Sequence, residues 1–180
     1  MISKIAITGL PKSQNTLMAA ALSVLTDIPL IQNKTMYEWY RIFGFSETKK
    51  LVWKDMFLIA SSSFDERTKK ETYFERFISD GSSFCELMWL KSSCKLKSNQ
   101  NEKVENFEFI CASYAAKQYD FVIHADASEN NDEYVQLFLK YQIQHKLYCS
   151  QDKIVELPLT VFNGYGPFTV GFGGVSFSIR

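Results

Sequence analysis

The chain begins with a run of apolar and β-branched residues, Ile2 to Thr8, that meets the turn residues Gly9 and Pro11 at once. A run of strand length closed by turn residues predicts a buried strand feeding a helix. In that helix Leu17, Ala21, Val24 and Leu25 share one face, and Pro29 ends it ahead of a short apolar pair, Leu30-Ile31. From Thr35 to about Arg76 the periodicity is helical, in two pieces divided near Gly44. Between Phe64 and Arg76 charge dominates, which reads as an exposed helical face. Phe77-Ile78-Ser79-Asp80 is a short buried strand ending in a carboxylate, and Gly81-Ser82 turns the chain. Ser83 and Glu86 then have capping-box spacing for a helix carrying Phe84, Leu87 and Met88.

Lys95 to Glu105 is polar and charged and predicts a flexible excursion, followed by a short helix around Phe107 to Lys117. Tyr119 to Ala125 is a strong strand. Asn130 and Glu133 fit a helix start, and Tyr134, Leu137, Phe138 and Tyr141 follow at i, i+3, i+4 and i+7. Lys146 to Cys149 and Ile154 to Leu157 are further strands. Strands alternating with helices predict an α/β fold with a doubly wound parallel sheet. The last stretch departs from this: Gly164, Gly166, Gly171, Gly173 and Gly174 alternate with Tyr165, Phe168, Phe172 and Phe177. That pattern predicts a Gly/aromatic β-ribbon, so residues 1–158 form the main domain and 159–180 a strand extension of it. The ribbon would cap the sheet; as an exposed edge it would serve a protein partner or an oligomer.

Composition narrows the function classes. Twenty Lys and Arg balance twenty Asp and Glu in 180 residues. No clustered basic face emerges, which argues against nucleic acid. The small groups Arg67-Thr68-Lys69-Lys70 and Lys95-Leu96-Lys97 read as solvated surface. Cys85, Cys94, Cys111 and Cys149 form no C-x-x-C pair, and with only His124 and His145 they give no metal-ligand spacing. They read as buried or half-buried thiols in a reducing compartment. No run approaches the ~20 apolar residues of a membrane span, and the N-terminal stretch does not fit a signal peptide. A soluble cytoplasmic protein is the expectation.

The chemistry concentrates after the first strand, in Gly9-Leu10-Pro11-Lys12-Ser13-Gln14-Asn15-Thr16. A working phosphate loop reads G-x-x-x-x-G-K-[ST]: backbone amides cradle phosphate, the lysine neutralises it and the hydroxyl holds Mg²⁺. Gly9 and Thr16 match. Gln14 stands at the second glycine and Asn15 at the lysine, which removes a charge-assisted contact roughly twice as strong as a neutral hydrogen bond. Lys12 is the one cation in the loop. Asp80, at the carboxyl end of a buried strand, sits where open α/β sheets place their ligands and could hold Mg²⁺ or orient a hydroxyl. His124, near another strand end, has no nucleophile that the sequence pairs with it and reads as a structural residue.

Taken together, Lys4-Ile5-Ala6-Ile7-Thr8-Gly9 into Thr16-Leu17, Phe77-Ile78-Ser79-Asp80-Gly81-Ser82 and Tyr119-Asp120-Phe121-Val122-Ile123-His124 resemble a small P-loop kinase. The closest likeness is to the nicotinamide-riboside-kinase and thymidylate-kinase-like group of AAA-type ATP-binding proteins, over about residues 1 to 150. The resemblance implies a doubly wound sheet of P-loop kinase type. It implies a loop of Gly9, Lys12, Ser13, Gln14, Asn15 and Thr16 that binds ATP, with Mg²⁺ at Thr16 and Asp80, if binding is retained. The family's loop lysine and second glycine are missing, and so is its lid arginine, since no arginine lies between Arg76 and Arg180. Phosphoryl transfer depends on positioning and charge neutralisation, so the expectation is weakened or lost phosphotransferase activity on a small molecule, nucleoside or nucleotide. The rival expectation is a pseudo-kinase acting as an interaction module. The loop is also similar to the G-L-P-[RK]-S-G-T-T loop of sulfotransferases, in which the residue at the Lys12 position contacts the donor's phosphate.

Overall fold

The computed structural model describes residues 3–9, 12–46, 50–93, 98–126, 132–149, 154–157, 168–172 and 175–179. Side chains are described as far as residue 144, except at 12–14, 98–99, 125–126 and 132. Strands β1 (Lys4–Thr8), β2 (Leu30–Ile31), β3 (Phe77–Ser79), β4 (Phe121–Asp126) and β5 (His145–Cys149) form one sheet in the order β2-β3-β1-β4-β5. Every pairing in it is parallel. The helices are α1 (Lys12–Thr26), α2 (Met36–Ile42), α3 (Trp53–Tyr73), α4 (Phe84–Ser93), α5 (Ser98–Gln118) and α6 (Asp132–Lys140). The fold is therefore α/β with a parallel sheet, compatible with a Rossmann-like or P-loop arrangement. No helix among the described residues is long and apolar enough to cross a membrane.

Because strand side chains alternate in direction, the central strands bury two different layers. Ala6, Phe77 and Val122 join a core built from Ala60 of α3, Phe84 and Leu87 of α4, Cys111 and Ala115 of α5 and Phe138 of α6. Ile5, Ile7, Ile78 and Ile123 alternate with them and are fully buried as well. Helix α1 packs on β1, β2 and β3. The Asp120 carboxylate fastens the start of β1 to β4, accepting from the Ser3 and Lys4 amides at 2.8 and 3.0 Å.

Several sequence expectations need correcting. The buried stripe of α1 runs through Asn15, Met18, Ala19, Leu22 and Thr26, whereas Leu17 and Val24 are exposed. The predicted excursion is helical from Ser98, its residues 95–97 lying outside the described residues: α5 extends to Gln118, holding Val104, Phe107, Cys111 and Ala115 in the core while Asn101, Glu102 and Lys103 are exposed. The capping box at α4 does not form. Ser83 Oγ donates to the Cys111 carbonyl, and Glu86 bonds Ser63 and Arg67 instead.

The C-terminal strands form a separate three-stranded sheet, β6-β8-β7, from β6 (Ile154–Leu157), β7 (Phe168–Phe172) and β8 (Val175–Ile179). Within the Gly/aromatic stretch β7 and β8 pair antiparallel, and β6 pairs parallel with β8 rather than continuing the main sheet; Gly164, Tyr165, Gly166, Gly173 and Gly174 lie outside the described residues.

Candidate functional site

The chain leaves β1 toward β2 on one side of the sheet, and the connection from β3 to β4 crosses β1 to the other. That reversal is a topological switch point, and ligands in open α/β sheets bind outside the carboxyl ends of the strands there. Three residues that the sequence singled out lie at this place. Gly9, with φ 98°, takes the left-handed turn out of β1 that L side chains rarely adopt. Asp80 follows β3, and Thr16 Oγ1 donates to its Oδ2 at 2.9 Å. Thr16 and Asp80 are separated by 64 in sequence, so only the fold brings them together.

Asp80 is 2 % exposed, and its other oxygen is also engaged. Oδ1 accepts from the Asn33 amide at 2.8 Å and from Asn33 Nδ2 at 3.2 Å. Nothing in the sequence singled out Asn33, whose Nδ2 also reaches Ser79 Oγ at 3.0 Å. Asn15 lies on the buried stripe of α1, 5 % exposed, and its Oδ1 has no hydrogen-bond partner among the described residues. Lys12, Ser13 and Gln14 belong to the first turn of α1, and their side chains lie outside the described residues.

A cavity of about 450 Å³ opens beside these groups, within the range of small-molecule pockets. Gly9, Asn15, Lys34, Arg67, Asp80, Glu86 and Trp89 line it. Cys85 and Tyr134 also contribute. Cys85 is half-buried, its Sγ accepting from the Ser82 amide at 3.3 Å and lying 3.3 Å from Thr8 Oγ1. Burial and the nearby Cys85 thiol push the Tyr134 phenol well above its ordinary value.

Arg67 overturns the reading of its segment as solvated surface, because it is 3 % exposed. Its Nη2 donates to Glu86 Oε1 at 2.9 Å and its Nη1 to the Gly81 carbonyl at 2.8 Å. Nη1 also reaches Ser79 Oγ at 3.2 Å and Glu71 Oε1 at 3.4 Å. Burial would lower the guanidinium's pKa, but Glu86 and Glu71 raise it, so it stays charged. Glu71 is fully buried, and that burial holds its carboxyl above the ordinary glutamate value despite Arg67 and bonds from Ser79 Oγ (2.7 Å) and Tyr114 OH (3.0 Å). Gly81, φ 150°, makes room for this knot: a Cβ there would lie 3.0 Å from Arg67 Nη2 and 3.3 Å from Cys85 Sγ.

Lys34 is the other described cation on the cavity wall. Both Glu66 oxygens accept from it, and it sits 5.3 Å from the centre of the Trp39 ring. His124 is buried between the Tyr134 and Phe138 rings, away from the cavity lining. Among the described residues no group of three or more His, Cys, Asp and Glu could hold a metal ion by itself. No protein-family model, no curated protein and no solved structure matches this chain.

Proposed function

We propose that the chain is a divergent P-loop, kinase-like protein that binds a nucleotide at the carboxyl ends of β1 and β3, with phosphoryl transfer weakened or lost. The observation that carries this is the Thr16–Asp80 contact at the switch point. A hydroxyl at the start of α1 and a carboxylate after a neighbouring strand are the pair that holds Mg²⁺ in P-loop NTPases. Both are hard oxygen donors, and Mg²⁺ asks for one or two carboxylates completed by phosphate oxygens and water. Thr16 and Asp80 would therefore hold the ion, which would supply neutralising charge. The backbone turn at Gly9 and the amides opening α1 would receive the phosphate.

Weakened transfer follows from where the charge lies. Asn15 carries none. Arg67 and Lys34 line the cavity, but each is already neutralised by carboxylates. A phosphoryl group in flight would find no described cation to spare.

Thermal melting with and without ATP–Mg²⁺ tests the binding. A ligand at 100 times its Kd adds about 2.7 kcal/mol, and Asp80→Asn should remove most of that gain. No shift at millimolar ATP–Mg²⁺ would overturn the proposal.

A further inference from the structure

Asp80 lines the cavity, whereas three residues bonded in series with it, Asn33, Ser79 and Glu71, are not among the described residues that do. All three are buried. We infer that they are positioning residues, a relay of directed hydrogen bonds that runs from Glu71 of α3 to the Asp80 carboxylate and fixes its orientation toward Mg²⁺–nucleotide. This deepens the nucleotide reading and rests on it for what Asp80 holds.

Counting donors and acceptors gives the relay its direction. A serine hydroxyl has one proton to give and two lone pairs to fill. Arg67 Nη1 at 3.2 Å and Asn33 Nδ2 at 3.0 Å can only donate, and both reach Ser79 Oγ, so its lone pairs are taken. Its one proton goes to Glu71 Oε1 at 2.7 Å. Asn33 Nδ2 in turn has two protons. One is on Ser79 and the other on Asp80 Oδ1 at 3.2 Å, which also accepts from the Asn33 amide at 2.8 Å. A flipped Asn33 carboxamide would set its own oxygen against Asp80 Oδ1 and against a serine whose proton is committed elsewhere. Only one orientation fits.

Orientation matters to the ion. Mg²⁺ demands near-ideal octahedral geometry, so a carboxylate free to swing holds it poorly. Two Asn33 donors on Oδ1 and the Thr16 hydroxyl on Oδ2 fix the plane of the Asp80 carboxylate. Hydrogen-bonded partners of a ligating group typically contribute about 10- to 100-fold in affinity. Glu71 is the far anchor, held in place by the Tyr114 hydroxyl on Oε2 at 3.0 Å and by Arg67 Nη1 at 3.4 Å from Oε1.

The test is calorimetry of ATP–Mg²⁺ binding to the full chain, each variant held at a temperature where circular dichroism shows it folded. Ser79→Ala and Asn33→Ala should each weaken binding about 10- to 100-fold. Glu71→Met should weaken it too, and Glu71→Gln, which keeps an oxygen for Ser79 to donate to, should recover most of that loss. Glu108→Gln, outside the relay, should bind as the wild type does. A second readout needs neither ligand nor variant: by NMR, the Asn33 side-chain N–H₂ protons should exchange at least about tenfold more slowly than those of the exposed Gln32. Wild-type affinity in Ser79→Ala or in Glu71→Met would overturn the relay and leave the nucleotide reading standing. So would Asn33 protons that exchange as fast as those of Gln32, even where a variant fails to fold. If the wild type does not bind ATP–Mg²⁺, the nucleotide reading falls and the relay's role falls with it.

Discussion

Two knots of charge hold this protein's helices together, and they are built from nearly the same parts. In the first, Arg67 of α3 joins Glu71 of its own helix and Glu86 of α4, all at 3 % exposure or less. In the second, Glu108 of α5 accepts from Lys91 of α4 at 2.9 Å and from Lys140 of α6 at 2.7 Å. There the Lys140 side chain is 61 % exposed. Burial separates them. Water screens and competes for the Glu108 knot, whereas the Arg67 knot is satisfied by its own members and by protein neighbours, Ser63, Ser79, the Gly81 carbonyl and Tyr114. The same pairing is therefore a modest brace at the rim and a strict requirement beneath the cavity.

Removing a member tests the contrast most directly. Arg67→Met should cost about 3–5 kcal/mol in urea denaturation, because it strands Glu86 and Glu71 without a counter-charge. Replacing Arg67, Glu71 and Glu86 together with apolar residues of similar volume should recover most of that loss; if it does not, the knot does more than neutralise itself. Asp80→Ala comes next at roughly 1–3 kcal/mol, since it leaves the buried Asn33 amide without its acceptor and Asn33 Nδ2 with Ser79 alone.

Glu71→Gln should cost only about 1 kcal/mol, and it changes the pH profile. A carboxyl whose folded pKa is raised stabilises least when ionised. Wild-type stability should thus fall as pH rises from 4.5 through the raised value, and the variant should lose that limb. Glu108 has the opposite sign. Burial would raise it, but Lys140 and Lys91 hold it below 4.5, so its contribution is present above that pH and lost on further acidification. Glu108→Gln should cost up to about 1 kcal/mol, less at high salt. A Glu108 effect as large as that of Arg67 would erase the distinction between the knots.

The strands were legible because β-branched runs ending in turn residues have few other uses, and Thr16 and Asp80 were legible because loop chemistry demands those types. Arg67 and Glu71 were not. Their charges looked like a solvated face, yet Met56, Ala60, Ser63, Arg67 and Glu71 recur at helical spacing on the buried side of α3. The stripe continues from apolar to polar without changing period, and that continuity was the available signal. Asn33 lay beyond reach, because its value depends on β2 standing next to β3. Helix α5 was missed at its start for the converse reason: its opening turns are polar on most sides, and only Val104 onward shows the buried period.

The order of strands also bears on synthesis. β1 has no sheet partner near it in sequence; its neighbours are β3 and β4. At 5–20 residues per second, roughly 6–23 s separate the emergence of Thr8 from that of Phe121. For that interval Ile5, Ala6 and Ile7 leave the ribosome without the sheet that buries them, and a chaperone has time to reach them. A ribosome stalled before β4 would hold the crevice wall from Gly9 to Ser92, lacking Tyr134, on a sheet short of two of its five strands.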